Sequence, residues 1–120
     1  MKLAITSKGP SLDSEVDPRF GRASYIVIVD PDTLEFEAVD NHENINALKG
    51  AGIKAATMIS DKKAEYLFTG FCGPNAIKTL NAANIKVVVE TSGSVLDAIE
   101  VFKSGTFEIT DAANAEGHWV

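Results

Sequence analysis

The sequence predicts a three-layer α/β/α fold around a five-stranded mixed sheet. Three observations predict it. Short β-branched runs recur with apolar residues on both faces, as strands inside a covered sheet require. Helical periodicity begins only after the third of those runs. Gly, Pro, Asn and Asp then punctuate the junctions. The element order is β-β-β-α-β-α-β-α.

Each element has its reason. Lys2 to Thr6 reads as a short buried strand. Ser7 to Ala23 is a long polar loop containing Gly9-Pro10, Asp17-Pro18 and Gly21. Such loops in compact domains are functional or mobile, and this one is expected to be disordered without a ligand. Ser24 to Asp30 is an interior strand, with Tyr25, Val27 and Val29 on one face and Ile26 and Ile28 on the other. Leu34 to Val39 alternates Leu34, Phe36 and Ala38 with Glu35 and Glu37, the pattern of a half-exposed edge strand. Asp40 to Asn46 reads as a polar loop carrying His42. From Ala47 a helix sets Leu48, Gly52, Ala55, Ala56 and Ile59 on one face, small enough to lie close to a sheet.

Tyr66 to Thr69 is the fourth strand. Pro74 opens a helix to Ala83, because proline at the first helical position loses an N–H that would be unpaired there anyway. It buries Ala76, Ile77, Leu80 and Ala83, and Asn84 suits a left-handed stop. Ile85 to Val89 is a buried strand. Ser94, with Asp97 three residues on, caps a third helix whose buried face is Val95, Leu96, Ile99 and Phe102. Gly105 ends it, and Thr106 to Ile109 reads as a weak strand. Residues 1–109 form one domain, and 110–120, with the lone Trp119, read as a flexible tail.

Two hairpins make the second strand antiparallel to its neighbours, and right-handed helical crossovers add the fourth and fifth strands parallel to the first. The predicted sheet order is 3-2-1-4-5, a ribonuclease H-like topology. The loops at 7–23, 40–46, 70–74 and 90–93 then leave one edge of the sheet, where open α/β sheets bind ligands. Arg19, Arg22, His42, Cys72 and the amides after Pro74 and Gly93 converge there on this reading.

The chain has 120 residues, a net charge of −6 and 45% hydrophobic residues, as in an ordinary single-domain globule. That charge argues against nucleic-acid binding. A single cysteine excludes an intrachain disulfide and points to a reducing compartment. No apolar run reaches membrane-spanning length or forms a signal peptide. The expectation is a cytoplasmic protein with no membrane or nucleic-acid partner.

The stretch with most chemistry is Thr69-Gly70-Phe71-Cys72-Gly73-Pro74-Asn75-Ala76. Free amides at a helix start, backed by the dipole, bind anions. A strand–turn–helix with Gly and Pro is also ordinary α/β punctuation. Asp17 to Ala23 places Arg19 and Arg22 in a Gly/Pro-shaped loop, and guanidinium forks suit multivalent anions. The same arginines would equally offset Asp13, Glu15 and Asp17. Cys72 could contact a metal or sulfide, act as a nucleophile activated by the helix N-terminus, or be inert. His42 is the one candidate base for it. Gly50-Ala51-Gly52-Ile53-Lys54-Ala55 fits a dinucleotide fingerprint but does not directly follow a strand, so close helix–sheet packing is its reading. Lys2 to Thr6 and Tyr66 to Gly70 carry no carboxylate on the central strands for a nuclease metal site.

On Asp17 to Ala23 followed by Ser24 to Asp30, on Gly50-Ala51-Gly52-Ile53, on Thr69-Gly70 with Gly73-Pro74-Asn75-Ala76, and on Leu80 to Ile85, the chain resembles the dinitrogenase iron–molybdenum cofactor-binding family. That group includes nitrogenase cofactor carriers and single-domain relatives such as the orange protein. The resemblance spans roughly residues 1–105 and implies a ribonuclease H-like fold. It implies a protein that is not an enzyme and that binds, carries or senses an anionic metal–sulfur cluster non-covalently. The cluster would contain molybdenum, of iron–molybdenum–sulfur or molybdenum–copper–sulfur type. The candidate binding set is Arg19, Phe20, Arg22, His42, Phe71, Cys72, Gly73, Pro74, Asn75, Ser92 and Gly93, with Cys72 and His42 as candidate metal ligands. A monomer is expected, with an assembly-factor ATPase as a candidate partner. The competing readings are an apo protein–protein interaction or regulatory module and, more weakly, a phosphate- or nucleotide-binding enzyme.

Overall fold

The computed structural model describes residues 1–45 and 50–114. Strands β1 (Leu3–Ser7), β2 (Tyr25–Val29), β3 (Phe36–Asp40), β4 (Tyr66–Phe68) and β5 (Lys86–Val88) form one sheet in the order β3-β2-β1-β4-β5. Its helices are α1 (His42–Ile45), α2 (Ala51–Asp61), α3 (Pro74–Ala82) and α4 (Val95–Ser104). β2 runs antiparallel to both β1 and β3, while β4 and β5 run parallel to β1. The α/β fold and strand order are as the sequence predicts.

Strand alternation sends side chains to two separate cores. Leu3, Ile5, Val27, Val29, Phe68 and Val88 pack with Val95, Ala98 and Ile99 of α4. Ala4, Ile26, Ile28, Leu67 and Val87 pack on the other face with Ala55, Ala56 and Ile59 of α2 and Ala76, Ile77 and Leu80 of α3. Layers of helix therefore cover both faces. No helix among the described residues is long and apolar enough to cross a membrane.

Several local expectations change. Residues 42–45 form a short helix where a loop was expected, because the Asn41 carbonyl accepts from the Asn44 and Ile45 amides at 3.0 and 3.2 Å. α2 begins at Ala51, after Gly50 at φ 79°, and Ala47 and Leu48 lie outside the described residues. Leu96 is exposed, because the buried stripe of α4 runs through Val95, Ala98 and Ile99 at helical spacing. Thr106 to Ile109 form no strand; only Thr110 pairs with Val87, in a single antiparallel bridge.

The 7–23 loop is pinned rather than loose. Its amides and carbonyls pair with β1 and with residues 93–96: Asp17 N–H donates to the Thr6 carbonyl, Val16 N–H to the Gly93 carbonyl, and the Val95 and Leu96 amides to the Ser14 and Leu12 carbonyls. Val16, Asp17, Phe20 and Ala23 are buried. A loop held this way contradicts the expectation of disorder, which rested on its lack of apolar periodicity.

Candidate functional site

β1, β3, β4 and β5 all point their carboxyl ends to one edge, and the loops leaving them meet there. The meeting is built from backbone. Thr6 lies next to last in β1 and Thr69 directly follows β4, and their buried hydroxyls lie 2.9 Å apart. Thr6 Oγ1 also donates to the Asp17 carbonyl at 2.6 Å, drawing the loop onto the sheet edge. Two residues on, the Phe71 amide donates to the Pro18 carbonyl at 2.6 Å and the Phe20 amide donates to the Phe71 carbonyl at 3.2 Å. Arg19 thus lies in a parallel bridge with Phe71. Gly70 makes this approach possible. A Cβ there would stand 2.7 Å from both Cα and the carbonyl oxygen of Pro18. The close neighbour the glycine admits is therefore the arginine loop.

The turn then delivers α3. Gly73 has no side chain to cap the helix, and Pro74 at its first position has no N–H. The first helical bond is Ile77 N–H to the Gly73 carbonyl. Among the described residues no hydrogen bond within the protein reaches the Asn75 or Ala76 amide. Arg19, Pro74 and Asn75 are exposed at this point.

The start of α4 is different. Its Ser94 and Asp97 form a capping box, with Ser94 N–H donating to Asp97 Oδ2 and Asp97 N–H to Ser94 Oγ. The Val95 and Leu96 amides are taken by the arginine loop. The expectation that amides after Gly93 serve a ligand is thus corrected: their partners are internal. Gly93 itself sits at φ 87°, and its carbonyl accepts from Val16. Ser92 is exposed and lines an open cleft of about 570 Å³ between the β5 exit and residues 106–110. Glu90 and Glu108 also line it, which disfavours an anion there.

Other predicted residues part company. Cys72 and Phe20 are both fully buried in the core shared with α2 and α3. Burial pushes the Cys72 thiol up to about 12, because the thiolate would lose its solvation. That reverses the expectation that the helix N-terminus favours the thiolate. Arg22 donates from Nη1 to the Ile45 carbonyl at 2.6 Å, at the end of α1. His42 turns to Asp40, whose Oδ1 receives its backbone amide at 2.9 Å, and its ring meets Tyr25 edge-on. Among the described residues no three His, Cys, Asp or Glu side chains gather to hold a metal ion.

Two contributors escaped the sequence reading. Pro18 supplies the carbonyl that holds Phe71, a backbone role with no side-chain signature. Asn114 reaches back to the turn from beyond α4, and an exposed polar residue near the chain end offers no pattern to find it by.

No curated protein sequence matches the chain. Among solved structures, it is similar to the apo form of the orange protein from Desulfovibrio gigas, at 40% identity and TM-score 0.92, over 95% of this chain and 96% of that one. It is similar to a Thermotoga protein assigned as NifB, at 37% identity and TM-score 0.81, over 97% and 98% of the two chains. A Methanocaldococcus jannaschii protein assigned as a dinitrogenase shares the fold at 17% identity and TM-score 0.67, over 92% and 94%. The family model described as dinitrogenase iron-molybdenum cofactor matches residues 1–105. The chain belongs to the dinitrogenase iron–molybdenum cofactor family.

Proposed function

We propose that the protein binds and carries an anionic, molybdenum-containing metal–sulfur cluster, non-covalently and without turning it over, at the turn between β4 and α3. The observation that carries this reading is the pairing of an uncapped helix start with an exposed guanidinium whose backbone is fixed beside it. The Asn75 and Ala76 amides have no internal partner, and the Arg19 backbone is bridged to Phe71 two residues before Gly73. Such a site offers fixed N–H donors, a positive dipole end and a permanent charge. The family supports the class of cargo. The inward thiol of Cys72 supports holding by charge and hydrogen bonds over thiolate ligation. Phe20 and Cys72 serve as packing beneath the turn. Arg22 and His42 shape the neighbouring α1 loop.

Charge-assisted hydrogen bonds contribute about 1.5–3 kcal/mol each, so Arg19→Ala is expected to weaken binding by about tenfold or more. Cys72→Ser should bind nearly as wild type does. Titration of the protein with tetrathiomolybdate and cuprous ion, read by visible absorbance, tests both. Unchanged binding by Arg19→Ala together with lost binding by Cys72→Ser would replace this reading with direct thiolate ligation.

A further inference from the structure

The family match ends at residue 105, yet the chain after it returns to the site. Residues 110–114 run across the sheet edge without helix or strand and are held at discrete points. Thr110 N–H donates to the Val87 carbonyl at 2.8 Å, and Asn81 Nδ2 donates to the Asp111 carbonyl at 3.2 Å. Asn114 then makes three bonds to the turn itself. Its Oδ1 accepts from the Cys72 amide at 2.8 Å, its Nδ2 donates to the Gly70 carbonyl at 3.0 Å, and its own amide donates to the Cys72 carbonyl at 3.1 Å. The expected loose tail therefore begins, at least through Asn114, as a bound strap.

These bonds fall where the turn needs them. Residues 70–73 belong to neither β4 nor α3, so the bonds that fix them come mostly from other segments; the Gly70 carbonyl already accepts from the Glu90 amide at 2.8 Å. Phe71 is held from one side by the arginine loop, through Pro18 and Phe20. Cys72 is held from the other by Asn114, which shares the Gly70 carbonyl with the Glu90 amide. A carboxamide can accept from one backbone N–H and donate to a backbone carbonyl two residues earlier with one planar group, as Asn114 does here. Without Asn114 the Gly70 carbonyl would keep the Glu90 amide, but the buried Cys72 amide would be left without a partner among the described residues, which is costly.

We propose that Asn114 is a positioning residue for the binding turn: it closes the second half of a clasp that sets where the first amides of α3 point. The ligand-binding part of this inference rests on the function proposed above; the clasp itself does not. It predicts that part of the site lies outside the residues the family model matches.

Asn114→Ala removes both side-chain bonds and changes an exposed position, so folding should survive. In the ligand-free protein, amide hydrogen exchange at Cys72 should speed up at least tenfold, while the thermal midpoint stays within a few degrees. Tetrathiomolybdate affinity, read by visible absorbance, should fall about tenfold. Asn114→Asp keeps the acceptor for Cys72 but loses the donor and adds a negative charge. It should bind the probe more weakly than Asn114→Ala, and added salt should narrow that gap. Faster exchange with unchanged probe affinity would overturn the positioning role, and unchanged Cys72 exchange would overturn the clasp. A wild-type protein that takes up no tetrathiomolybdate would sink the proposed function. The clasp would then stand if Cys72 exchange still rises in Asn114→Ala and fall if it does not.

Discussion

Gly70→Ala probes the other half of the clasp, and its cost can be worked from the contact. The added Cβ would meet Pro18 Cα and O at 2.7 Å and Pro18 Cβ at 2.9 Å. Carbon atoms pack best at about 3.5–4.0 Å, so Pro18 must retreat by roughly 1 Å. These are backbone atoms with no rotamer to escape into. Overpacking of this kind costs about 1–3 kcal/mol. Retreat also breaks or stretches the Phe71–Pro18 and Phe20–Phe71 hydrogen bonds, each contributing about 0.5–1.5 kcal/mol. Removing a glycine from the unfolded chain returns about 0.4–1 kcal/mol. The net loss is about 3 kcal/mol. With an unfolding entropy of about 2.1 cal/mol/K per residue over 120 residues, that is a fall of about 12 °C in the melting midpoint. Gly105→Ala is the control: it sits at φ 73° with nothing within 4 Å of its added Cβ. It should lose only the left-handed backbone penalty of about 1–2 kcal/mol. Calorimetry of the two variants in one buffer is the assay. A Gly70→Ala midpoint within about 3 °C of wild type would refute the close approach.

Two further predictions concern titration. Cys72 should resist iodoacetamide in the native protein at pH 8 and react on unfolding, because its thiol is pushed up to about 12 from the ordinary 9.0. Since the unfolded chain loses that proton first, stability should fall as pH rises above 9 and level off near 12, and Cys72→Ala should lack this slope in denaturant titrations. The carboxyl of Asp40 is held below its ordinary value chiefly by the His42 backbone amide and then by the His42 side chain. Its stabilising effect is present above pH 3.8 and lost as pH falls through the lowered value. His42→Ala keeps the backbone amide and should therefore leave the Asp40 carboxyl still below its ordinary value, as an NMR titration of Asp40 would read; a full return to the ordinary value would assign the lowering to the ring instead.

What could be read from the sequence was whatever repeats locally. Val27 and Val29 against Ile26 and Ile28 reveal a strand covered on both faces, and Pro74 or Ser94 reveals a helix start because the signal lies within one turn. α1 was missed because four residues carry no periodicity. The order in the 7–23 loop was missed because its partners are distant: Val16 bonds to Gly93, and Phe20 to Phe71. Asn114 lies 42 and 44 residues from the groups it holds. The inward direction of Cys72 is equally invisible, since a turn cysteine reads the same whether its sulfur meets solvent or core.

The contrast between the two helix starts on the edge explains why binding should concentrate at one of them. Both α3 and α4 follow parallel strands of the sheet, and both begin with a positive dipole end. At α4 the capping box and the arginine loop consume the first four amides, so the dipole faces groups already satisfied. At α3 the clasp takes a different set of groups. It occupies the Phe71 and Cys72 amides, which precede the helix, and leaves the Asn75 and Ala76 amides without an internal partner. The same loop that closes α4 carries Arg19 to α3. On the proposed function, one segment thus removes a competing anion site and supplies a charge to the remaining one, so that a chain of net charge −6 would hold its anion at a single place on its surface.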